Sequence, residues 1–309
     1  MIIPALLAIA AATLYALTNH IDKFLISKGV KHADYRSLLV VSTLIAGAVM
    51  SVIYFFICGC SVGFDWKSFL ILVGNSVLVS FAYVLYFKSL SREDTTIVAI
   101  MFQLIPVFML VLSPLILPDQ TISPIQLVGG FIATLAAILV TYEPSKKRFA
   151  KGKLVTLGMM TLVSIAYAIW FILERYVTLD HDFNQMMFWT NASQFVVGAL
   201  IYIFLKSFRK SFHDMMKSNG KTIIGLNLTN ELLSSFGNVL STWAGLMASV
   251  ALVSFVSQSV QPFAVMGLGV LLPLIFPKVD KERVTKGETI KRVIAIVVCI
   301  IGLACIEFG

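Results

Sequence analysis

The stretch Glu143-Pro-Ser-Lys-Lys-Arg-Phe-Ala-Lys-Gly-Lys153 lies near the midpoint of the chain and decides how the rest is interpreted. It is a strongly charged interruption in a sequence that is almost entirely apolar on both sides. We interpret it as a basic linker on the cytoplasmic side that joins two units, residues 1–142 and residues 154–309. Both units are so apolar that water is not expected to be the solvent around them.

The composition indicates that this solvent is a lipid bilayer. Hydrophobic residues make up 58% of the 309 residues and charged residues only 13%, and the mean hydropathy is +0.91. A water-soluble domain carries about 25% charged residues. The net charge of +8 does not indicate nucleic-acid binding, because Lys and Arg lie in short loops and form no basic face with interleaved aromatic residues.

Apolar runs recur along the chain at lengths that can cross a membrane, which takes about 20 mostly apolar residues per helix. Ten such runs lie at about residues 2–22, 36–58, 67–88, 95–117, 123–142, 154–175, 185–206, 222–246, 250–276 and 290–307. The sequence therefore predicts an all-α integral membrane protein with ten transmembrane helices, five in each unit.

The basic residues are distributed unevenly between the loops. Of the 24 Lys and Arg residues, 22 fall in the loops after helices 1, 3, 5, 7 and 9. Positively charged loops of membrane proteins face the cytoplasm. We therefore expect the odd-numbered loops on the cytoplasmic side, both termini on the outer side, and a multi-pass protein in the cell (inner) membrane.

The two units show a weak internal repeat. Sliding the sequence by 152 residues aligns Tyr15-Ala16 with Tyr167-Ala168 and Asp22-Lys23 with Glu174-Arg175. Because each unit has an odd number of helices, the second unit must start from the opposite side of the membrane. Inverted repeats of this kind are typical of secondary transporters, which bind substrate near the membrane midplane.

Motifs in helices 4 and 5 resemble a known family. They are Ala99 to Pro106 in helix 4, the turn Leu117-Pro-Asp119, and Ile125-Gln-Leu-Val-Gly-Gly130 at the start of helix 5. The chain resembles a ten-helix member of the drug/metabolite transporter superfamily with two EamA-type domains, although Asp119 stands where the family usually has Glu. In the second unit, Phe276-Pro-Lys-Val-Asp280 replaces the turn. The resemblance implies a transporter fold and does not specify the cargo.

Helix 8 carries a polar face in an otherwise apolar segment. Its members recur at helical spacing and are Asn227, Glu231, Ser234, Asn238 and Ser241. Glu231 lies near the bilayer centre, where a charged carboxylate costs about 2.5–3.5 kcal/mol on insertion scales. Such a group faces a cavity or a partner. We expect it to bind a proton or a cationic group of the cargo; the alternative is a protonated Glu that is hydrogen-bonded between helices.

Two helices combine glutamines with proline. Helix 9 has Gln258 and Gln261 followed by Pro262, and helix 4 has Gln103 followed by Pro106. Proline removes one backbone hydrogen bond and kinks a helix. We predict that the glutamines contribute to a binding site and that both prolines act as hinges, with simple packing kinks as the alternative.

Six further side chains with polar groups are candidates for cavity lining, with an interfacial belt as the alternative for the aromatic ones. They are Tyr15 and Asn19 in helix 1, Asn75 and Tyr83 in helix 3, and Tyr167 and Trp170 in helix 6. Aromatic rings with polar tips suit an organic cargo. Asp22 and Glu174 are expected to be solvated or locally paired charges near helix ends, with a gate ion pair as the alternative.

The leading prediction is a secondary transporter that moves a small polar or zwitterionic organic metabolite, amino-acid-like or amine-like, with proton-coupled export as one mode. A passive channel, a membrane scaffold and a membrane-embedded enzyme are the alternatives. No catalytic residues are predicted, because helices 1–10 lack clustered catalytic groups. No cofactor is expected, since the sequence lacks an ATP-binding Gly-x-x-x-x-Gly-Lys-Ser/Thr loop, and the Cys58-Gly-Cys60 spacing is not that of a metal site.

Overall fold

Helices dominate every part of the chain that can be described. The computed structural model describes residues 2–26, 34–63, 65–116, 123–139, 142–143, 148–149, 151–178, 180–247, 250–276 and 285–308. In these ranges, ten helical segments coincide with the ten predicted apolar runs. They are α1 (Ile2–Ile26), α2 (Tyr35–Ile57), α3 (Trp66–Arg92), α4 (Thr95–Ile116), α5 (Pro124–Leu139), α6 (Lys151–Val177), α7 (Phe183–Phe204), α8 (Lys206–Met247), α9 (Val250–Ile275) and α10 (Lys286–Phe308). Two short antiparallel strands, β1 (Tyr142–Glu143) and β2 (Arg148–Phe149), pair within the linker.

Eight of these described helices are long and apolar enough to cross a membrane. The other two differ for opposite reasons. Helix α5 is apolar but has only 16 residues, whereas α8 has 42 residues and begins with a charged segment. The described part of the chain is therefore that of a multi-pass integral membrane protein, and the count of ten spans stays a prediction.

The outer surface of the bundle is apolar, as a bilayer requires. Large apolar side chains are strongly exposed on many helices, including Leu6, Phe56, Leu70, Phe131 and Leu274. Soluble monomers rarely expose extended apolar surface. These side chains therefore face the acyl chains of the lipid.

Several helices extend beyond their predicted bounds, among them α1 and α8. Helix α1 continues past the predicted end at residue 22 to Ile26, so its last polar residues lie inside the helix. Helix α8 begins at Lys206 rather than at residue 222. The predictions placed these boundaries where charged residues began, but Lys, Arg and Glu are good helix formers, so a charged segment can continue a helix.

Helix α4 is interrupted at Gln103, between the helical segments Thr95–Phe102 and Leu104–Ile116. The interruption lies three residues before Pro106, whose missing N–H and bulky ring disturb the turn that precedes it. The helix is therefore interrupted close to Pro106, and the bend predicted there stays a prediction. Helix α9 runs through Pro262 without an interruption, so the structure does not show a matching break there. Hinge motion at either proline stays a prediction.

The main helix pairs join the first half of the chain to the second. Helix α1 packs against α8 and α9, and α6 packs against α3 and α4. Helix α2 packs against α7, and α5 packs against α10. The two halves are thus not separate bundles; their helices interleave around a shared centre.

Glycines allow the closest approaches between the halves. A Cβ on Gly302 in α10 would lie 2.6 Å from the backbone nitrogen of Ala133 and 2.7 Å from the backbone oxygen of Gly129, both in α5. A Cβ on Gly198 in α7 would lie 2.6 Å from the backbone nitrogen of Leu44 in α2. Side chains cannot fit at these distances, so the two crossings are direct backbone contacts. We call them the glycine crossings.

Candidate substrate site between the two halves

Asp22 is the centre of a hydrogen-bonded cluster formed by three helices. Tyr86 of α3 donates its hydroxyl to Asp22 Oδ2 at 2.9 Å. Asn230 of α8 donates its amide to Asp22 Oδ1 at 2.8 Å. The Tyr86 hydroxyl also lies 3.3 Å from Asn19 Oδ1, one turn earlier in α1. Helices α1, α3 and α8 therefore converge on one carboxylate.

Glu231 follows Asn230 directly in the sequence and brings a second carboxylate to this cluster. It is half-buried, and its charge interacts with that of Asp22. Neither carboxylate forms an ion pair with Lys, Arg or His within the described residues. Two neighbouring negative charges inside a membrane bundle are unfavourable unless a proton or another cation compensates them. The arrangement therefore fits a protonated carboxyl or a positively charged ligand.

Aromatic rings form the wall beside the carboxylates. Tyr83 of α3 and Tyr167 of α6 both interact electrostatically with Glu231, and their ring centroids lie 6.5 Å apart. Phe102, at the end of the first segment of α4, lies 5.8 Å from Tyr167 and 5.3 Å from Tyr86. Trp170 lies 5.4 Å from Tyr167, one turn along α6. Electron-rich faces of this kind favour a cation or an aromatic group of a ligand.

Several buried polar atoms at this centre have no hydrogen-bond partner within the described residues. They are Asn19 Nδ2, Asn230 Oδ1 and Gln103 Oε1. Their side chains are at most 9% exposed. An unpaired buried polar atom costs about 1–3 kcal/mol, so such atoms are expected to bind water or a ligand. The cluster thus offers both donors and acceptors beside its two carboxylates.

Other residues predicted for the site lie at different positions along the same helices. Tyr15 of α1 donates its hydroxyl to Asn238 Oδ1 in α8 at 2.6 Å, and Asn227 donates its amide to Ser42 Oγ in α2 at 2.8 Å. Three more, which are half-buried, are Ser234, Gln258 and Gln261. The polar face of α8 therefore contacts α1 and α2 at successive levels, and only its Asn230–Glu231 level reaches the carboxylate cluster.

Two sequence expectations about charged residues are wrong. Asp22 is not solvated, because Tyr86 and Asn230 bind it inside the bundle. Glu174 is not locally paired either; its carboxylate accepts a hydrogen bond from Thr190 of α7 at 3.3 Å. The signal that identifies both residues in the sequence is their alignment at an offset of 152, which places an acid at the same position of α1 and α6.

One end of the bundle is rich in charged contacts between loops and helix ends. Lys23 donates to the backbone oxygens of Leu90 and Glu93, and Arg292 pairs with Asp94. Glu288 lies 2.6 Å from Lys291 and 3.9 Å from Lys153 (Glu288 Oε2 to each Nζ). Burial raises the pKa of the Glu93 carboxyl, and nearby Lys153 lowers it in part. We call this the charged end.

The opposite end is closed by weaker polar contacts. Lys67 donates to the Tyr176 hydroxyl at 2.8 Å, and Trp189 donates its indole N–H to the backbone oxygen of Gly63 at 2.8 Å. His181 lies 3.8 Å from Asp65. Hydrogen bonds from Ser68, and from the backbone at the start of α3, lower the pKa of Asp65 to about 2. This end contains the loops that carry few basic residues, and we call it the neutral end.

The described residues contain no group of three or more His, Cys, Asp or Glu side chains that could hold a metal ion. The four cysteines are free thiols, and Cys299 is buried in α10. The polar chemistry of the described bundle therefore rests on carboxylates, amides and aromatic hydroxyls.

Comparisons with known proteins agree with this architecture. No curated protein matches the chain. Twenty-two chains of solved structures match it; one, described only as "Crystal structure of protein", is 13% identical, has a TM-score of 0.51, and the alignment covers 95% of each chain. Residues 2–142 match the model of the EamA-like transporter family. Residues 2–142 are therefore identified as an EamA-like domain, the domain type of the drug/metabolite transporter superfamily, in a chain whose described helices are those of a multi-pass membrane protein.

Proposed function

We propose that the protein is a secondary transporter that moves a small polar or zwitterionic organic metabolite carrying an amino group. The observation that carries this proposal is the pair of carboxylates, Asp22 and Glu231, at the meeting point of the two halves. The EamA-like match of residues 2–142 supports transport as the class of activity. The substrate class follows from the charge of the site.

The carboxylate pair favours an ammonium group as the part of the cargo that is recognised. An ammonium group donates three hydrogen bonds and carries the charge that Asp22 and Glu231 lack in a partner. The unpaired Oδ1 of Asn230 adds a neutral acceptor beside them. The rings of Tyr83 and Tyr167 provide the apolar wall against which the body of the cargo packs.

Helix packing supports an arrangement of two inverted five-helix repeats. If α1 to α5 correspond to α6 to α10, the contact of α1 with α8 corresponds to that of α6 with α3. The contact of α1 with α9 corresponds to that of α6 with α4 in the same way. Each remaining main pair, α2 with α7 and α5 with α10, joins a helix to its own counterpart. Two units related by a pseudo-twofold axis make this set of contacts.

Alternating access then follows from the position of the site between the repeats. In this proposal the cargo binds at the carboxylates from one side, and the repeats rock so that it leaves from the other. A proton taken up by Glu231 replaces the ammonium group during the return step and so couples transport to the proton gradient. By the positive-inside rule the charged end faces the cytoplasm, and the direction that we propose is export across the cell (inner) membrane.

A two-step experiment tests the proposal. Purified protein is first screened by thermal shift against amino acids, amines and matched compounds without an amino group, because ligands stabilise the state that they bind. Compounds that stabilise the protein are then measured in proteoliposomes by counterflow. Saturable counterflow identifies a carrier, whereas linear uptake identifies a channel.

The matched variants are Glu231→Gln and Asp214→Asn, which each remove one negative charge from α8. Asp214 is exposed near the start of the helix, outside the carboxylate cluster. We expect Glu231→Gln to insert normally and to abolish counterflow, and Asp214→Asn to transport like the wild type. Wild-type counterflow by Glu231→Gln contradicts the proposal.

A further inference from the structure

A second carboxylate lies inside the bundle, near the neutral end, at Glu174 of α6. It lies three residues before the end of α6 at Val177 and is half-buried. Thr190 donates its hydroxyl to Glu174 Oε1 at 3.3 Å, and the Trp170 indole interacts with the same carboxylate. Within the described residues no Lys, Arg or His pairs with it, and its sequence neighbour Arg175 is exposed.

Asn75 places an unpaired acceptor against the same turn of α6. Its Nδ2 donates to the backbone oxygen of Trp170 at 3.3 Å. In an α-helix that oxygen is also the acceptor for the backbone N–H of Glu174, so the Asn75 amide lies beside the turn that carries the carboxylate. The Asn75 side chain is 2% exposed, and its Oδ1 has no hydrogen-bond partner among the described residues. A buried acceptor beside an unpaired carboxylate fits a ligand that donates hydrogen bonds and carries positive charge.

Glu174 and Asp22 occupy equivalent positions in the two halves, Glu174 near the neutral end and Asp22 in the central site. They align at an offset of 152, each within four residues of the end of its helix. Lys23, next to Asp22, contacts the charged end, whereas Tyr176, just after Glu174, contacts Lys67 at the neutral end. An asparagine from the third helix of the other half lies near each acid: Asn230 donates to Asp22 itself, and Asn75 donates to the Trp170 backbone oxygen, one turn before Glu174.

Aromatic rings separate the two acids. Tyr167 lies beside the central carboxylates, and Trp170 lies beside Glu174. The ring centroids of Tyr167 and Trp170 are 5.4 Å apart. Phe171 stacks on Trp170 at 4.9 Å. An ammonium group that passes between the acids must therefore pass these rings, and cation–π attraction compensates part of its lost hydration there.

We propose that Glu174, with Asn75 and Thr190, forms a second ammonium-binding position at the neutral end of the substrate path. This inference rests on the proposed function, because it assigns to Glu174 the same class of ligand as the central site. Cargo that leaves Asp22 and Glu231 passes the aromatic rings and binds at Glu174 when the neutral end is open.

The test uses 2-phenylethylamine as the probe and 2-phenylethanol as its uncharged counterpart. Binding to detergent-purified full-length protein is measured by thermal shift and by calorimetric titration. The background variant is Asp22→Asn/Glu231→Gln, which removes the charge of the central site. We expect this background to retain weak stabilisation by the amine but not by the alcohol, and the addition of Glu174→Gln to reduce the remaining shift to about one fifth or less.

Two further variants in the same background provide controls. Arg175→Gln changes an exposed neighbouring charge and should leave the amine shift unchanged. Thr190→Val removes the hydroxyl that donates to Glu174 and should weaken amine binding about tenfold, since a hydrogen bond to a charged group contributes about 1.5–3 kcal/mol. This second variant tests the position independently if Glu174→Gln is recovered in poor yield.

The outcomes separate this inference from the proposed function. If the wild type binds the amine and the background variant does not, a second position does not exist. If the background variant binds the amine equally well with and without Glu174→Gln, the second position lies elsewhere and the assignment is wrong. If the wild type does not distinguish the amine from the alcohol, the proposed substrate class and this inference both fail.

Discussion

The two halves of the chain meet in two different ways. At the glycine crossings, backbone touches backbone, and no side chain fits between Gly302 and Gly129 or between Gly198 and Leu44. At the carboxylate cluster, by contrast, polar side chains meet with atoms left unpaired. The first kind of contact is suited to holding the halves together, and the second to binding a ligand. Changes at the two places should therefore affect different measurements.

The largest effect on stability is expected at Gly302. A Gly302→Val variant places atoms within 2.7 Å of the backbone of α5, where only a shift of the helices can make room. Overpacking of this kind costs about 1–3 kcal/mol, and we expect the upper end because backbone rather than a flexible side chain is in the way. The midpoint of thermal unfolding of the purified protein measures this loss.

Gly158 of α6 provides the matched control. It is exposed, and a Cβ added there meets no atom within 4 Å. Gly158→Val should unfold at nearly the wild-type temperature. Equal midpoints for the Gly302 and Gly158 variants would show that the glycine crossing does not determine stability.

The opposite result is expected at Asp22. Asp22→Asn removes a charge for which the described residues supply no cationic partner, so we expect unchanged or higher thermal stability without ligand. Binding of an amine should fall about 10- to 100-fold, because hydrogen bonds to charged groups contribute about 1.5–3 kcal/mol. Calorimetric titration with 2-phenylethylamine measures the affinity, and retained affinity together with lower stability would assign Asp22 a structural role.

A smaller loss of stability is expected at the charged end. Arg292 is 2% exposed and pairs with Asp94, whose side chain is 31% exposed. Removing one partner of a fully buried pair costs about 3–5 kcal/mol, and we expect about 2 kcal/mol for Arg292→Gln because Asp94 is partly solvated. Thermal unfolding of Arg292→Gln, of Asp94→Asn and of the double variant measures the coupling. Additive losses would mean that the ion pair contributes nothing.

The apolar runs correctly predicted the eight described helices that are long and apolar enough to cross a membrane, because the lipid solvent requires long apolar helices. Charged residues were a poor guide to helix ends. Asp22 was expected in water because helix 1 was expected to end there, but α1 continues to Ile26 and carries Asp22 into the bundle. A charged residue near the end of an apolar run gives the same sequence pattern whether its side chain is solvated or is bound by another helix.

The sequence also could not predict which residues of other helices contact the site residues. The polar face of α8 predicts which side chains point inward, and Glu231 is on that face. It does not predict that Asn230, one position further round the helix, reaches Asp22 in α1, since that contact spans 208 residues of sequence. Contacts of this kind depend on how α1 and α8 cross. The same holds for Asn75 and the Trp170 carbonyl.

The smallest effect is expected at Tyr54, which lies neither at a glycine crossing nor in the carboxylate cluster. Its ring is 2% exposed in α2, and its hydroxyl lies 2.7 Å from Ser235 Oγ in α8. Tyr54→Phe removes one neutral hydrogen bond and keeps the packing, so a loss of about 1 kcal/mol is expected. Ser235→Ala should cost about the same. The double variant should lose little more than either single variant, because both remove the same bond. Thermal unfolding of the double variant measures this. A loss of stability equal to the sum of the two single losses would show that the two hydroxyls do not pair and that this bond does not link α2 to α8.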